Sequence, residues 1–261
     1  MTFIVLTLFP ELCAAVLGES ILGRAADKGI LHTDIRGIRQ YSTDRHRRVD
    51  DYPFGGGGGM LMTPQPLKAA VDAVTADYGH RPHTIYLSPK GRVFSQAVAR
   101  ELLAYDELLF LCGHYEGVDQ RILDTVVDEE LSLGDFVLTG GELPALCIID
   151  AVARMVPGVL AGAESYENES IYSGLLEYPQ YTRPAVFEGM EPLLLGDTLG
   201  AVPEVLRNGN HGEIAKWQRE QSLIVTAQRR PDLLAAAALT PQEKDMLRQR
   251  GLWPGLPREE V

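Results

Sequence analysis

The chain has 261 residues, 45% of them hydrophobic, with 24 Lys and Arg against 36 Asp and Glu for a formal charge of −12. Such a length buries one full core and a smaller second one, and the composition is that of an ordinary globular protein. Taken alone, the acidic balance argues against a nucleic-acid partner, because phosphate contacts need cations.

Met1-Thr2-Phe3-Ile4-Val5-Leu6 has no positive flank and reads as a first core strand, not a signal peptide. Further strand-like runs lie at Phe3–Leu8, His32–Ile38, Thr84–Leu87, Leu108–Cys112 and Phe136–Leu138. Helical patterns fall between them at Glu11–Ala26, Pro66–Tyr78, Ser95–Ala104 and Asp119–Val126. This alternation predicts an α/β domain with a parallel sheet covered by helices on both faces. The next helix runs from Pro144 to Val156, opened by proline and closed by Pro157-Gly158. The apolar stretch Leu143–Leu160 that contains it carries Asp150 and Arg154, which makes it a buried helix rather than a membrane span.

Ala161 to Ser173 is polar, acidic and aperiodic, the character of an interdomain linker. Tyr178–Pro203 is turn-rich, and helices follow at Glu213–Arg229, Pro231–Ala238 and after Thr240-Pro241-Gln242-Glu243, a capping-box pattern with proline at the first helical position. The expected organisation is therefore residues 1–160, a linker at 161–174, and a small helical domain at 175–255. The cysteines Cys13, Cys112 and Cys147 are far apart and form no CxxC pair, so neither a disulfide framework nor a zinc site is expected, and a reducing cytoplasm is the expected home.

The acidic average hides two basic clusters: Arg36, Arg39, Arg45, His46, Arg47 and Arg48, and later Arg207, Lys216, Arg219, Arg229 and Arg230. A solvated face is the ordinary explanation of either cluster alone. The chain lacks a P-loop, a GxGxxG dinucleotide turn, a GxSxG elbow and an HExxH helix. The five-glycine run Gly55–Gly59 offers either a phosphate cradle or a mobile loop, and the absence of a Lys or Ser/Thr at P-loop spacing favours the loop. Two glycine-bearing turns remain, Cys112–Gly117 and Ser132–Glu142, with Tyr86-Leu87-Ser88-Pro89 at a third strand end. Glycine at strand ends lets backbone approach a ligand closely, so these three segments predict a small-molecule pocket built from loops.

Gly113-His114-Tyr115-Glu116-Gly117-Val118-Asp119 and Ser132–Pro144 closely resemble the bacterial tRNA (guanine-N1)-methyltransferase family, of the SPOUT class. So do Asp44–Asp51 with Gly55–Met60, Gly174-Leu175-Leu176 through Tyr181-Thr182-Arg183-Pro184, and Asn208–Ile214. The resemblance spans about residues 3 to 235. It implies a trefoil knot in the C-terminal part of the sheet domain, a topology that pattern alone would not suggest. It also implies a homodimer sharing each active site, and S-adenosyl-L-methionine bound by the knotted loops. Carried onto matching positions, the donor pocket is Tyr86, Leu87, Ser88, Pro89, Gly113, Tyr115, Glu116, Gly117, Leu133, Gly134, Asp135, Phe136, Val137, Leu138, Gly140, Gly141 and Pro144.

The implied reaction is methylation of N1 of guanosine 37 in tRNA. It needs a base for the N1 proton and a positive group at O6. The resemblance assigns Arg154 to O6, although Asp150 four residues earlier offers a structural ion pair instead. The base falls on Glu169, where relatives place an aspartate, with Glu167 as an alternative; linker acids such as Glu164, Glu167 and Glu169 more commonly serve only to solvate. His114 stands where relatives commonly have arginine, and Gly58 where they commonly have proline. Glu116 is a candidate to orient guanine or to bind Mg2+, which the family is reported to use, while the sequence itself offers no recognisable magnesium site. Arg45–Arg48, Lys216, Arg219, Arg229 and Arg230 become candidate tRNA phosphate contacts. A knotted enzyme acting on a ribose 2′-hydroxyl, and a non-catalytic RNA-binding module with a vestigial pocket, are the competing readings.

Overall fold

The computed structural model describes residues 1–162, 169–187 and 200–253. The chain divides into two compact units, Met1–Ala163 and Glu164–Val261.

The first unit is built on a five-stranded sheet in the order β2-β1-β6-β5-β7, formed by β1 (Thr2–Thr7), β2 (His32–Gly37), β5 (His83–Val93), β6 (Glu107–Leu111) and β7 (Glu129–Ser132). Every pairing is parallel. A separate two-stranded ladder joins β3 (Asp50–Asp51) to β4 (Leu61–Met62). The central strands are apolar throughout because both faces are covered. Ile4, Leu6, Leu109 and Leu111 are wholly buried in one cluster with Leu67, Val71 and Val74 of α3 (Pro64–Tyr78) and Ile122 and Val126 of α5 (Gln120–Val126). The alternate residues Phe3, Val5, Leu108 and Phe110 face the other side. There α6 (Glu142–Ala153) packs on β1, on α1 (Pro10–Leu17) and on α4 (Gln96–Leu102).

The expected helix over Glu11–Ala26 is two helices, α1 and α2 (Ser20–Asp27), broken at Gly18-Glu19. Gly18 and Ser20 are poor helix formers, and Ser20 adopts φ 54°. The expected strand Phe136–Leu138 does not form. Its place in the sheet is taken by β7 just upstream, and Phe136 and Val137 are 54% and 82% exposed. The helix expected from Pro144 begins earlier, at Glu142, after Gly141.

The second unit holds α7 (His211–Arg229), α8 (Pro231–Ala236) and α9 (Pro241–Gln249). Leu175, Leu223, Leu234 and Leu247 form its core, with Met246, Leu252 and Trp253 packed around them. The capping box forms as its sequence predicts: Thr240 Oγ1 accepts from Glu243 N–H, and Glu243 accepts from Thr240 N–H at 2.7 Å. Thr226 is buried mid-helix because its hydroxyl accepts from Leu176 N–H at 2.9 Å and donates to Ser222 C=O at 2.6 Å.

Candidate active site

Parallel strands deliver their connecting loops to one edge, and ligands of such sheets collect there. At the C-terminal ends of β5, β6 and β7 the loops wall a cavity of about 550 Å³. That volume suits a small organic molecule. Strand β5 supplies one wall by an irregularity. Its pairing with β7 shifts between Leu87 and Arg92, so Ser88–Gly91 bulges out and Ser88, Pro89 and Lys90 face the cavity. The turn after β6 supplies a second wall, Gly113–Val118. The third is the segment after β7, from Leu133 to Gly141, which ends on Pro144 in the first turn of α6.

Fifteen of the seventeen residues assigned to the donor pocket line this one cavity: Tyr86–Pro89, Gly113, Tyr115–Gly117, Leu133, Phe136–Leu138, Gly140, Gly141 and Pro144. Gly134 and Asp135 do not line it; Gly134, at φ 146°, turns the backbone through Ser132, whose hydroxyl accepts its N–H at 3.1 Å. Val137 and Leu138 leave their backbone N–H groups without hydrogen bonds among the described residues. The cavity rim therefore offers apolar side chains together with backbone donors, a combination that suits a flat heteroaromatic base.

The two glycine turns are stitched together. Gly141 N–H donates to Gly113 C=O at 2.9 Å, and a Cβ on Gly141 would stand 2.8 Å from Cys112 Cα. Beneath them lies a polar cluster that sequence reading assigned no role. Glu142, 4% exposed in its side chain, accepts from Thr7 Oγ1 at 2.6 Å and pairs with His114 Nε2 at 2.8 Å. The His114 ring rests against Phe9, with centroids 5.0 Å apart. A Thr closing an apolar strand and a Glu opening an apolar helix are the sequence signals of this contact. Burial, followed by the Glu142 charge, pushes the Cys13 thiol up to about 11 and the Cys112 thiol well above its ordinary value. Both thiols are therefore inert at neutral pH.

Arg154 closes α6, half-buried, its N–H donating to Asp150 C=O at 3.2 Å. It does not line the cavity. Glu169 belongs to the second unit, where its C=O accepts from Ser173 N–H at 3.3 Å; Glu164 and Glu167 lie outside the described residues. The basic clusters divide. Arg36 is structural, clamped by Asp34 at 2.6 Å and Asp77 at 2.7 Å. Arg219 and Arg230 are paired with Glu243 and Asp232. Arg45, Arg47, Lys216 and Arg229 are exposed and carry no ion pair among the described residues. Also among the described residues, no three His, Cys, Asp or Glu side chains converge to hold a metal, and no helix is long and apolar enough to cross a membrane.

The family model for tRNA (guanine-1)-methyltransferase TrmD matches residues 1–236. A tRNA (guanine-N(1)-)-methyltransferase of Caldanaerobacter subterraneus is 52% identical over 251 residues, covering 96% of this chain and 99% of the relative. Its counterpart in Alkaliphilus oremlandii is 50% identical over 250 residues, covering 94% and 96%. That of Ruminiclostridium cellulolyticum is 51% identical over 233 residues, covering 89% and 96%. The match takes in all three cavity walls as well as α7, and at this identity and coverage the chain belongs to the tRNA (guanine-1)-methyltransferase family.

Proposed function

We propose that the protein transfers a methyl group from S-adenosyl-L-methionine to N1 of guanosine 37 in tRNA, with the 550 Å³ cavity as the donor site. The observation that carries the reading is the convergence of the three family-like segments on one cavity at the sheet edge. Bound there, the donor supplies an electrophilic methyl carbon. Leu133, Val137 and Leu138 offer apolar surface to its base, and the rim N–H groups offer hydrogen bonds. A trefoil knot fits the path of the chain. From edge strand β7 it crosses the ends of β5 and β6, and α6 then packs on β1, α1 and α4.

Guanine N1 is a poor nucleophile because its lone pair is shared with the ring amide and it bears a proton. As the N1–carbon bond forms and the sulfur–carbon bond breaks, the N1 proton passes to the Glu169 carboxylate. The Arg154 guanidinium stabilises the negative charge that gathers on O6. Among the described residues no three His, Cys, Asp or Glu side chains converge into a protein-built magnesium cage.

An exposed apolar stripe supports the homodimer. Leu12 and Val16, one turn apart on α1, are each 45% exposed, and Leu143 on the neighbouring α6 is 52% exposed. Of the candidate phosphate contacts, Arg45, Arg47, Lys216 and Arg229 are exposed and carry no ion pair among the described residues, which leaves them available for tRNA phosphates.

The test is methylation of an unmodified tRNA transcript with labelled donor, followed by nucleotide mapping. Label at N1 of the guanosine 3′ to the anticodon is expected; label on a ribose oxygen, or none, refutes the reading. In single turnover, Glu169→Ala should lose about a hundredfold or more in rate with little change in donor affinity. If Glu167→Ala shows that loss while Glu169→Ala turns over normally, the base is Glu167.

A further inference from the structure

The loop between β3 and β4 has a bare tip on fixed arms. Phe54 is 102% exposed, as open to water as an isolated residue, and Tyr52 is 77% exposed. A Cβ added at any of Gly55 to Gly58 would meet nothing within 4 Å. The arms, in contrast, are held. β3 pairs with β4, Met60 C=O accepts from Glu116 N–H at 3.0 Å, and Met62 N–H donates to Gly117 C=O at 2.9 Å. Gly59 lies so close to Glu116 that a Cβ would strike its side chain. Leu61, Glu116 and Gly117 line the cavity, whereas Tyr52 and Phe54 do not. The tip is therefore rooted in the cavity rim and stands outside the donor pocket.

A phenyl ring left wholly in water forgoes burial that any contact would restore, so its place on a rim points to something that arrives there. Two occupants compete, a second copy of the chain and RNA. The exposed stripe of Leu12, Val16 and Leu143 is aliphatic, as suits a chain–chain contact, whose centre is poor in charge. The β3–β4 tip is different. Its rings follow directly on Arg45, Arg47 and Arg48, all exposed. Arg47 is held at φ 54°, in the left-handed region, by a turn in which His46 N–H and Arg48 N–H both donate to Asp44 Oδ1, at 2.7 and 3.2 Å. Strain of this kind in a non-glycine residue persists only where its surroundings enforce it. Rings beside cations are the composition of surfaces that take single-stranded RNA, with bases on the rings and phosphates on the cations. Reaching N1 also requires the target guanine to leave its stack, which uncovers the faces of the bases on either side.

We propose that Phe54 is a tRNA-binding residue, its ring stacking on a base next to the target guanine and closing the gap that extrusion leaves. This deepens the tRNA reading above and rests on it. Phe54 carries no group that moves a proton, so it acts on the binding and orientation of the loop.

The experiment is fluorescence anisotropy of a labelled tRNA transcript binding to the full-length protein saturated with S-adenosylhomocysteine. Wild type, Phe54→Ala, Phe54→Leu and Phe54→Trp are compared, each also with two transcripts abasic at the nucleotide 5′ or 3′ to the target guanosine. Because Phe54 is fully exposed, all the variants should melt with the wild type. Phe54→Ala should weaken intact tRNA about fivefold or more, the range for one base–aromatic stack. Its salt slope and its affinity for S-adenosylhomocysteine should not change, since no phosphate contact is lost. Phe54→Trp should bind at least as tightly as the wild type, and Phe54→Leu as loosely as Phe54→Ala. The alanine defect should vanish on one abasic transcript, which identifies the stacked base. Wild-type affinity in Phe54→Ala overturns the proposal, and so does full recovery by Phe54→Leu, which marks a plain apolar contact. A defect of equal size on both abasic transcripts overturns it as well. So does a Phe54→Ala protein that is monomeric in sedimentation velocity where the wild type is a dimer, which makes a second copy the occupant. A wild type that does not bind the intact transcript, or methylates it elsewhere, removes the tRNA reading itself, a failure distinct from these.

Discussion

Gly141→Ala tests whether the two glycine turns act as one rigid wall. Gly141 has φ −82° and ψ −8°, ordinary right-handed values, so alanine meets no backbone strain there. Through the unfolded state alone the change would stabilise the protein by about 0.4–1 kcal/mol. The added Cβ, however, meets Cys112 Cα at 2.8 Å, Gly113 N at 3.0 Å and Cys112 C at 3.2 Å. The first is roughly 0.7 Å inside ordinary van der Waals contact. All three atoms are backbone, pinned by β6 below and by the hydrogen bond from Gly141 N–H to Gly113 C=O. No side chain can swing away, so the turns must separate.

Overpacking of this kind costs about 1–3 kcal/mol, leaving a net loss of about 1–2 kcal/mol once the entropic gain is subtracted. For a protein of this size the melting temperature should fall by roughly 2–8 °C. Because the displaced backbone lines the cavity, affinity for S-adenosylhomocysteine should drop about tenfold. Gly58→Ala is the control, since a Cβ there meets nothing within 4 Å and no left-handed φ is involved; it should stay within about 0.5 kcal/mol of wild type. Differential scanning fluorimetry and calorimetric titration read both. A Gly141→Ala protein that melts at or above the wild type and binds ligand equally well refutes the rigid-wall argument.

Glu142→Leu removes the acceptor of Thr7 and the partner of His114, and should destabilise the protein by about 1–3 kcal/mol in urea unfolding, with Glu142→Gln intermediate. Leu12→Asp should convert a dimer to a monomer in sedimentation velocity and abolish turnover. It should also speed labelling of Cys147, which is exposed on α6 in the isolated chain and would be shielded by dimerisation through the α1–α6 face. Arg229→Glu should weaken tRNA binding and flatten its salt dependence by about one unit of slope, without altering donor affinity. An unchanged slope returns Arg229 to a solvated role.

The sheet and most of its helices were legible because burial on two faces leaves strands as apolar runs and helices as periodic ones. Where tertiary contact overrides local pattern, the reading slipped. The apolar residues of Glu11–Ala26 continue across Gly18, so periodicity hides a break made locally by Gly18 and by the positive φ of Ser20, with Gly23 free of a Cβ that would strike Gly18 C=O. The basic segment at Arg36–Arg48 read as one cluster. Its first member is locked between Asp34, two residues earlier on β2, and Asp77 on distant α3, and the second of these pairings is one that linear spacing does not show. The capping box at Thr240 was legible in full, because all of its contacts lie within four residues.

The apolar run Phe136-Val137-Leu138 has the pattern of a strand, yet β7 is Glu129-Glu130-Leu131-Ser132, a polar strand followed by an apolar loop. Two local rules are inverted within ten residues, and inversions of that kind gather where a surface is shaped for a ligand rather than for the core. Exposed Phe136, Val137 and Leu138 forgo burial that a folded chain ordinarily secures, while the polar strand before them is held in the sheet by its register with Ile85, Tyr86 and Leu87 of β5. All three of the exposed residues line the cavity. An apolar rim that the protein's own core leaves uncovered is one that a ligand with an apolar face can cover, which is why local pattern misplaces the strand here.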